Sequence, residues 1–192
     1  FFFFKQKTAY EISTRDWSSD VCSSDLFNSR LNLNLREDKG WTYGARASFS
    51  GNKYTTEYTF SSGIRANATD SALTEVLKEI DGYANNGIKE DEMAFMKSAI
   101  GQRDALQYET PGQKSGFVSR LMEYNLEGDY IKKQNEMLKN ISKSDIDALA
   151  KKWLQTDKMN ILLVGDKQKI LPGLQKFGME IVELDVDGNL KQ

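Results

Sequence analysis

The stretch Leu31-Asn32-Leu33-Asn34-Leu35-Arg36-Glu37-Asp38-Lys39-Gly40-Trp41-Thr42-Tyr43-Gly44 holds the residues best suited to chemistry. It sets an arginine at the end of a helical pattern and a tyrosine seven residues later, past a glycine turn and entering a strand. A guanidinium offers five N–H donors in a planar fork that grips a carbonyl or carboxylate bidentately, and a phenol donates one further hydrogen bond. Side by side, Arg36 and Tyr43 have the chemistry to hold a peptide main chain or an oxyanion developing on it. A structural assignment fits the same residues, with Arg36 capping helix carbonyls and Tyr43 packing at the strand end.

Other candidates carry less. Val164-Gly165-Asp166-Lys167 ends a strand pattern, but neither GxxxxGK[ST] nor GxGxxG accompanies it, so it reads as a glycine turn. Glu90-Asp91-Glu92 reads as a solvated first helical turn, where carboxylates suit the positive end of the macrodipole. Met93, Met96, Met122 and Met137 fall at helical spacing and are expected to fill core gaps. Asn67-Ala68-Thr69 and Asn140-Ile141-Ser142 are sequons of a kind that arises often by chance.

Composition closes further routes. The 192 residues hold 26 Lys and Arg, 28 Asp and Glu, one Cys and no His, for a formal net charge of −2. That charge gives no basic excess for nonspecific binding to nucleic acid. No apolar run reaches the roughly 18 residues of a membrane span. One cysteine makes no internal disulfide. The absence of histidine removes His-based triads and every His-ligated zinc or iron site from this chain.

The elements that must position Arg36 and Tyr43 follow from periodicity. Phe27, Leu31 and Leu35 recur at i, i+4, i+8, as the last turns of a helix stopped at Gly40. Ala45, Ala47 and Phe49, then Tyr54, Thr56, Tyr58 and Phe60, alternate as two strands around a Gly51-Asn52-Lys53 turn. Ala72, Leu73, Val76, Leu77, Ile80, Tyr83 and Ala84 form one helical face, closed by Asn85-Asn86-Gly87. Met93, Met96, Ile100 and Arg103 mark a second helix, and Thr110-Pro111-Gly112 interrupts the pattern. Phe117, Val118, Leu121, Met122 and Leu126 mark a third. A shorter helix spans Asp129 to Lys139, and a capping-box-like Ser142-Lys143-Ser144-Asp145 opens one bearing Ile146, Leu149, Ala150, Trp153 and Leu154. Strand returns at Met159–Val164, then a short helix at Lys167–Phe177 and a last strand at Met179–Leu184. Grouped helices beside antiparallel strands predict an α+β domain with a mixed, largely antiparallel sheet.

Residues 1–26 stand apart. They lack an initiator Met, the features of a signal peptide and any helical or strand period. Lys5–Ile12 and Asp16–Leu26 resemble a sequencing adapter translated in one frame, so residues 1–26 are expected to be non-native and disordered or irregular. The genuine domain is then 27–192, missing its first elements and its natural N-terminus, and its compartment is unreadable.

Ser29-Arg30-Leu31-Asn32-Leu33-Asn34-Leu35-Arg36-Glu37-Asp38-Lys39-Gly40-Trp41-Thr42-Tyr43-Gly44-Ala45 resembles the LRE-x-(K/R)-G-x-x-Y motif in the C-terminal domain of the pitrilysin/insulinase zinc peptidases. The helix opening after Gly87-Ile88, Glu109-Thr110-Pro111-Gly112-Gln113, the Ile141–Leu154 helix and Met159–Asp166 extend the likeness over Phe27 to Leu184. The resemblance implies a mitochondrial-processing-peptidase-like α+β domain. It also implies that Arg36 and Tyr43 contact the backbone of a peptide substrate opposite a zinc centre. The family's HxxEH motif supplies zinc ligands and general base, and this chain has no histidine, so no catalytic or metal-binding residue is expected here. Zinc and catalysis would belong to a catalytic domain of the same polypeptide or a partner subunit. The chain alone would be inactive, the noncatalytic, substrate-binding part of an endopeptidase. The alternative is an inactive scaffold or assembly subunit of the same family.

Overall fold

A computed structural model of the chain describes residues 2–8, 30–51, 54–106 and 109–191. Strands β1 (Phe2–Thr8), β2 (Thr42–Gly51), β3 (Thr56–Ile64) and β4 (Asn160–Leu163) form a four-stranded sheet in the order β2-β3-β1-β4. Every neighbouring pair is antiparallel. The period of two places Ala45 and Ala47 on the buried face of β2, with Arg46 and Ser48 exposed. Ala47 faces Phe60 and Phe49 faces Tyr58 across the ladder, with the latter two rings 5.0 Å apart. Tyr54, expected to open the second strand, lies exposed before β3 begins. Asn52 and Lys53 of the expected turn fall outside the described residues.

β1 departs from the irregular N-terminal segment expected for residues 1–26. Residues 2–8 pair with Thr56–Ser62 of β3 and, on their other side, with β4. Ladder bonds belong to the backbone, so an extended segment can complete a sheet without a marked alternation of its own.

Helices α1 (Thr69–Asn86), α2 (Glu90–Leu106), α3 (Pro111–Tyr124), α4 (Tyr130–Asn140), α5 (Lys143–Trp153) and α6 (Lys167–Leu174) make up the rest. The expected face of α1 is the centre of the core: Ala72, Leu73, Val76, Ile80 and Tyr83 are buried with Leu31, Leu35, Phe60 and Ile146. Removing a side chain such as Ile80 or Phe60 from water contributes about 2 kcal/mol. α1 packs on α5, whose capping box joins Ser142 and Asp145 as the sequence predicts. Gly87 ends α1 at φ +73°, and a Cβ there would lie 2.1 Å from Oδ1 of Asp147, which accepts the Ile88 N–H at 2.8 Å. Glycine fits this junction for space as well as for backbone angle.

Four expectations are corrected. Thr110-Pro111-Gly112 opens α3 rather than breaking the pattern, with Thr110 and Gln113 in a capping box and proline in the first turn. α3 buries none of its residues, and Val118 and Met122 are exposed. Met93 and Met96 are core residues, whereas Met122 and Met137 are exposed, because α3 and α4 turn those positions away from the sheet-and-α1 core. Met179–Leu184 forms no strand. That segment folds back through an Asp185–Asn189 turn to a single Leu184–Leu190 bridge, with the Asp185 carboxylate accepting from the Asp187 and Asn189 N–H groups.

Candidate functional site

The chain runs helical from Arg30, and the last six helical residues, Leu33–Asp38, are wound as a π-helix. Leu31 and Leu35 are fully buried and anchor this end to the core. The wider winding is visible in its bonds: Lys39 N–H reaches the Asn34 carbonyl at 3.2 Å, five residues back, and Trp41 N–H reaches that of Leu35 at 2.9 Å. Such isolated π-turns concentrate at functional sites. Here the π-turn carries Arg36. Its side chain is 55% exposed, and its charged partner is the equally exposed Glu37, at 3.3 Å. Gly40 turns the chain at φ +58°, and its carbonyl accepts from the Arg65 guanidinium.

Tyr43 lies one residue into β2, on a second irregularity. Thr42 faces Ile64, but Ala45 already faces Ser62, so β2 carries one residue more than β3 between these pairs. This is a β-bulge, a device that re-aims side chains. The bulge is pinned from inside. Thr42 Oγ1 and Ser62 Oγ lie 2.9 Å apart, both within 3.0 Å of the Gly44 carbonyl, and Thr42 Oγ1 accepts the Gly44 N–H at 3.0 Å. Tyr43 itself is fully exposed, and its hydroxyl has no partner among the described residues. Arg36 and Tyr43 are thus delivered to one end of the sheet by adjoining elements, both facing solvent. No hydrogen bond joins their side chains.

Around this pair most polar groups are engaged, although Asn34 Oδ1 is buried without a hydrogen-bond partner among the described residues. The Asn32 amide donates to the Ala45 carbonyl at 2.9 Å and accepts the Ala45 N–H at 2.8 Å. The Asn34 amide donates to Glu75 at 2.9 Å and to Glu79 at 3.0 Å. That bond is the main reason the Glu75 carboxyl sits below its usual range; nearby Lys39, 4.0 Å away, pulls the same way. The Lys39 ammonium also stands 5.2 Å from the centre of the Trp41 ring. One turn and a half before Arg36, Arg30 grips Glu92 through Nε at 2.6 Å and through Nη2, and Glu92 accepts the Lys89 N–H at 2.8 Å. Glu92 is therefore a partly buried ion-pair partner, not the freely solvated carboxylate expected of the α2 start; Glu90 and Asp91 are exposed.

Residues able to hold zinc do not assemble here. The chain has no histidine, and the described residues contain no group of three His, Cys, Asp or Glu placed to bind a metal. No described helix is long and apolar enough to cross a membrane.

The family model described as the Peptidase M16 inactive domain matches residues 16–100, the span that contains the π-turn, the bulged hairpin and α1. Over that span the chain is similar to an M16 peptidase inactive domain. Solved structures agree on the fold. An M16 inactive domain from Pseudomonas fluorescens superposes at a TM-score of 0.70 with 19% identity, over 83% of this chain and 40% of that one. A protease from Helicobacter pylori gives 0.71 at 12% identity, over 83% and 39%. The inactive peptidase domain of a candidate zinc protease from Bordetella parapertussis gives 0.63 at 12%, over 84% and 90%. The chain thus spans about 40% of the first two proteins and nearly all of the single-domain third. No curated protein sequence matches it.

Periodicity could not find the polar groups that brace the site. Asn32 and Asn34 were present as a signal. They alternate with Leu31, Leu33 and Leu35 inside a helical pattern, where asparagine is unfavourable unless its amide bonds elsewhere. Their partners, Ala45, Glu75 and Glu79, lie up to 45 residues away and had no local mark.

Proposed function

We propose that this domain is the substrate-binding, noncatalytic part of a zinc metalloendopeptidase, with Arg36 and Tyr43 as its peptide-contacting residues. The supporting observation is their shared state. Both project to solvent from irregular backbone braced on every side, and neither is committed to a strong internal partner. Arg36 grips a main-chain carbonyl of an extended peptide, and Tyr43 donates a hydrogen bond to the same backbone or to the oxyanion formed at it. Zinc and the general base belong to a catalytic domain elsewhere in the polypeptide or on a partner subunit; the chain has no histidine, and no metal-binding group assembles among the described residues.

Steady-state peptide hydrolysis by the full polypeptide tests this. Arg36→Ala raises KM about tenfold, the equivalent of about 1.4 kcal/mol, with zinc content unchanged. Unchanged kinetics remove the role. The 192-residue chain alone cleaves no peptide and takes up no zinc by elemental analysis; stoichiometric zinc would overturn the assignment. One observation favours the scaffold alternative: α3 has no fully buried residue and exposes Val118 and Met122, which suits an assembly contact.

A further inference from the structure

We infer that Asn32 is a positioning residue that sets Tyr43 against Arg36. The inference rests on the peptide-binding reading above and adds the part that fixes its geometry. Asn32 stands one helical turn before Arg36, and its amide forms a two-way hydrogen bond with Ala45, two residues after Tyr43. A side-chain amide carries the same donor and acceptor as a peptide unit, so Asn32 pairs with Ala45 as a neighbouring strand would. It does so at β2, which ends the sheet order and, among the described residues, has only β3 as a strand neighbour.

The need for such a clamp follows from the backbone. Between Arg36 and Tyr43 the chain passes through a π-turn, a glycine at φ +58° and a β-bulge, none of which fixes direction as a regular ladder does. Several bonds close this excursion, and two of them set its inner and outer span. The inner one is the Trp41 N–H to Leu35 carbonyl bond at 2.9 Å. It holds the turn on the near side of the bulge, while the Thr42 and Ser62 hydroxyls and the β3 ladder hold the bulge itself. The outer tie, Asn32 to Ala45, spans the whole excursion and fastens the far side of the bulge to the helix that bears Arg36. The buried Thr42 and Ser62 hydroxyls shape the bulge, and Asn32 sets where it points.

A double-mutant cycle on the full chain separates positioning from simple stabilisation. Binding of a fluorescein-labelled, proline-free extended peptide is followed by anisotropy, and amide exchange at Ala45 reports the clamp. Asn32→Ala is expected to speed Ala45 exchange and weaken binding about tenfold, yet less than twofold when Tyr43→Phe is already present. Asn32→Asp keeps the acceptor and loses the donor, so it gives an intermediate loss and serves if the alanine variant folds poorly. An equal loss in both backgrounds, or fast Ala45 exchange with undiminished binding, overturns the inference. If Arg36→Ala and Tyr43→Phe themselves leave binding unchanged, the peptide-binding reading fails and takes the inference with it.

Discussion

Arg30 and Arg36 stand six residues apart on one helix and do opposite things. Arg30 is four-fifths buried, lies 5.1 Å from the Tyr83 ring centre, and grips Glu92 through two of its nitrogens. Arg36 is mostly exposed, and its partner is a neighbour that is just as exposed. A guanidinium whose donors are satisfied inside the fold is structural; one whose fork remains open is available to a ligand. Chain position alone does not distinguish them, because the partner of Arg30 lies 62 residues away.

Breaking the inner pair should have the largest effect. Arg30→Ala strands the Glu92 carboxylate and costs about 2 kcal/mol of stability in urea unfolding, less than a fully buried pair because both groups keep some water. Peptide binding by the folded fraction is unchanged. Arg36→Ala does the reverse, leaving the urea midpoint where it was and weakening peptide binding about tenfold. Both variants behaving alike would erase the distinction.

Acid gives a finer test. The hydrogen bond from Arg30 is the chief cause holding the Glu92 carboxyl below its ordinary value, with the Lys89 N–H and the two positive charges adding to it. A carboxyl depressed in the folded state stabilises above its unfolded pKa, and that contribution is lost as pH falls through the folded one. Stability measured below about pH 4.5 should therefore fall more steeply in the native chain than in Arg30→Ala. Parallel slopes would mean that the pair contributes little. The smallest effect belongs to Glu37→Gln. Exposed pairs are worth at most about 1 kcal/mol, so freeing Arg36 should tighten peptide binding by no more than about fivefold.

What could be read from the chain was what repeats along it. The alternation of Ala45, Ala47, Tyr58 and Phe60 and the helical spacing of Leu73, Val76 and Ile80 describe buried faces directly, and those faces are buried. Arg36 and Tyr43 could be picked out by residue type and by resemblance, although a helix-capping and strand-packing assignment fits the same residues. The bulge that carries Tyr43 was not legible, since it exists only as a mismatch between two strands. Nor was the fate of Val118 and Met122, because helical spacing marks a face without saying what covers it. Met179, Ile181 and Val182 have strand propensity, yet no strand edge receives them and the Asp185 turn closes on itself.

The position of β1 has a mechanical consequence. It is antiparallel to both β3 and β4, so those two strands run the same way on either side of it, roughly 10 Å apart at ordinary strand spacing. At that distance they cannot bond to each other. β1 is a keystone, and withdrawing it would not shorten the sheet but split it, baring one edge on the hairpin and another on β4 at the same moment. Two facing raw edges invite any extended chain that passes.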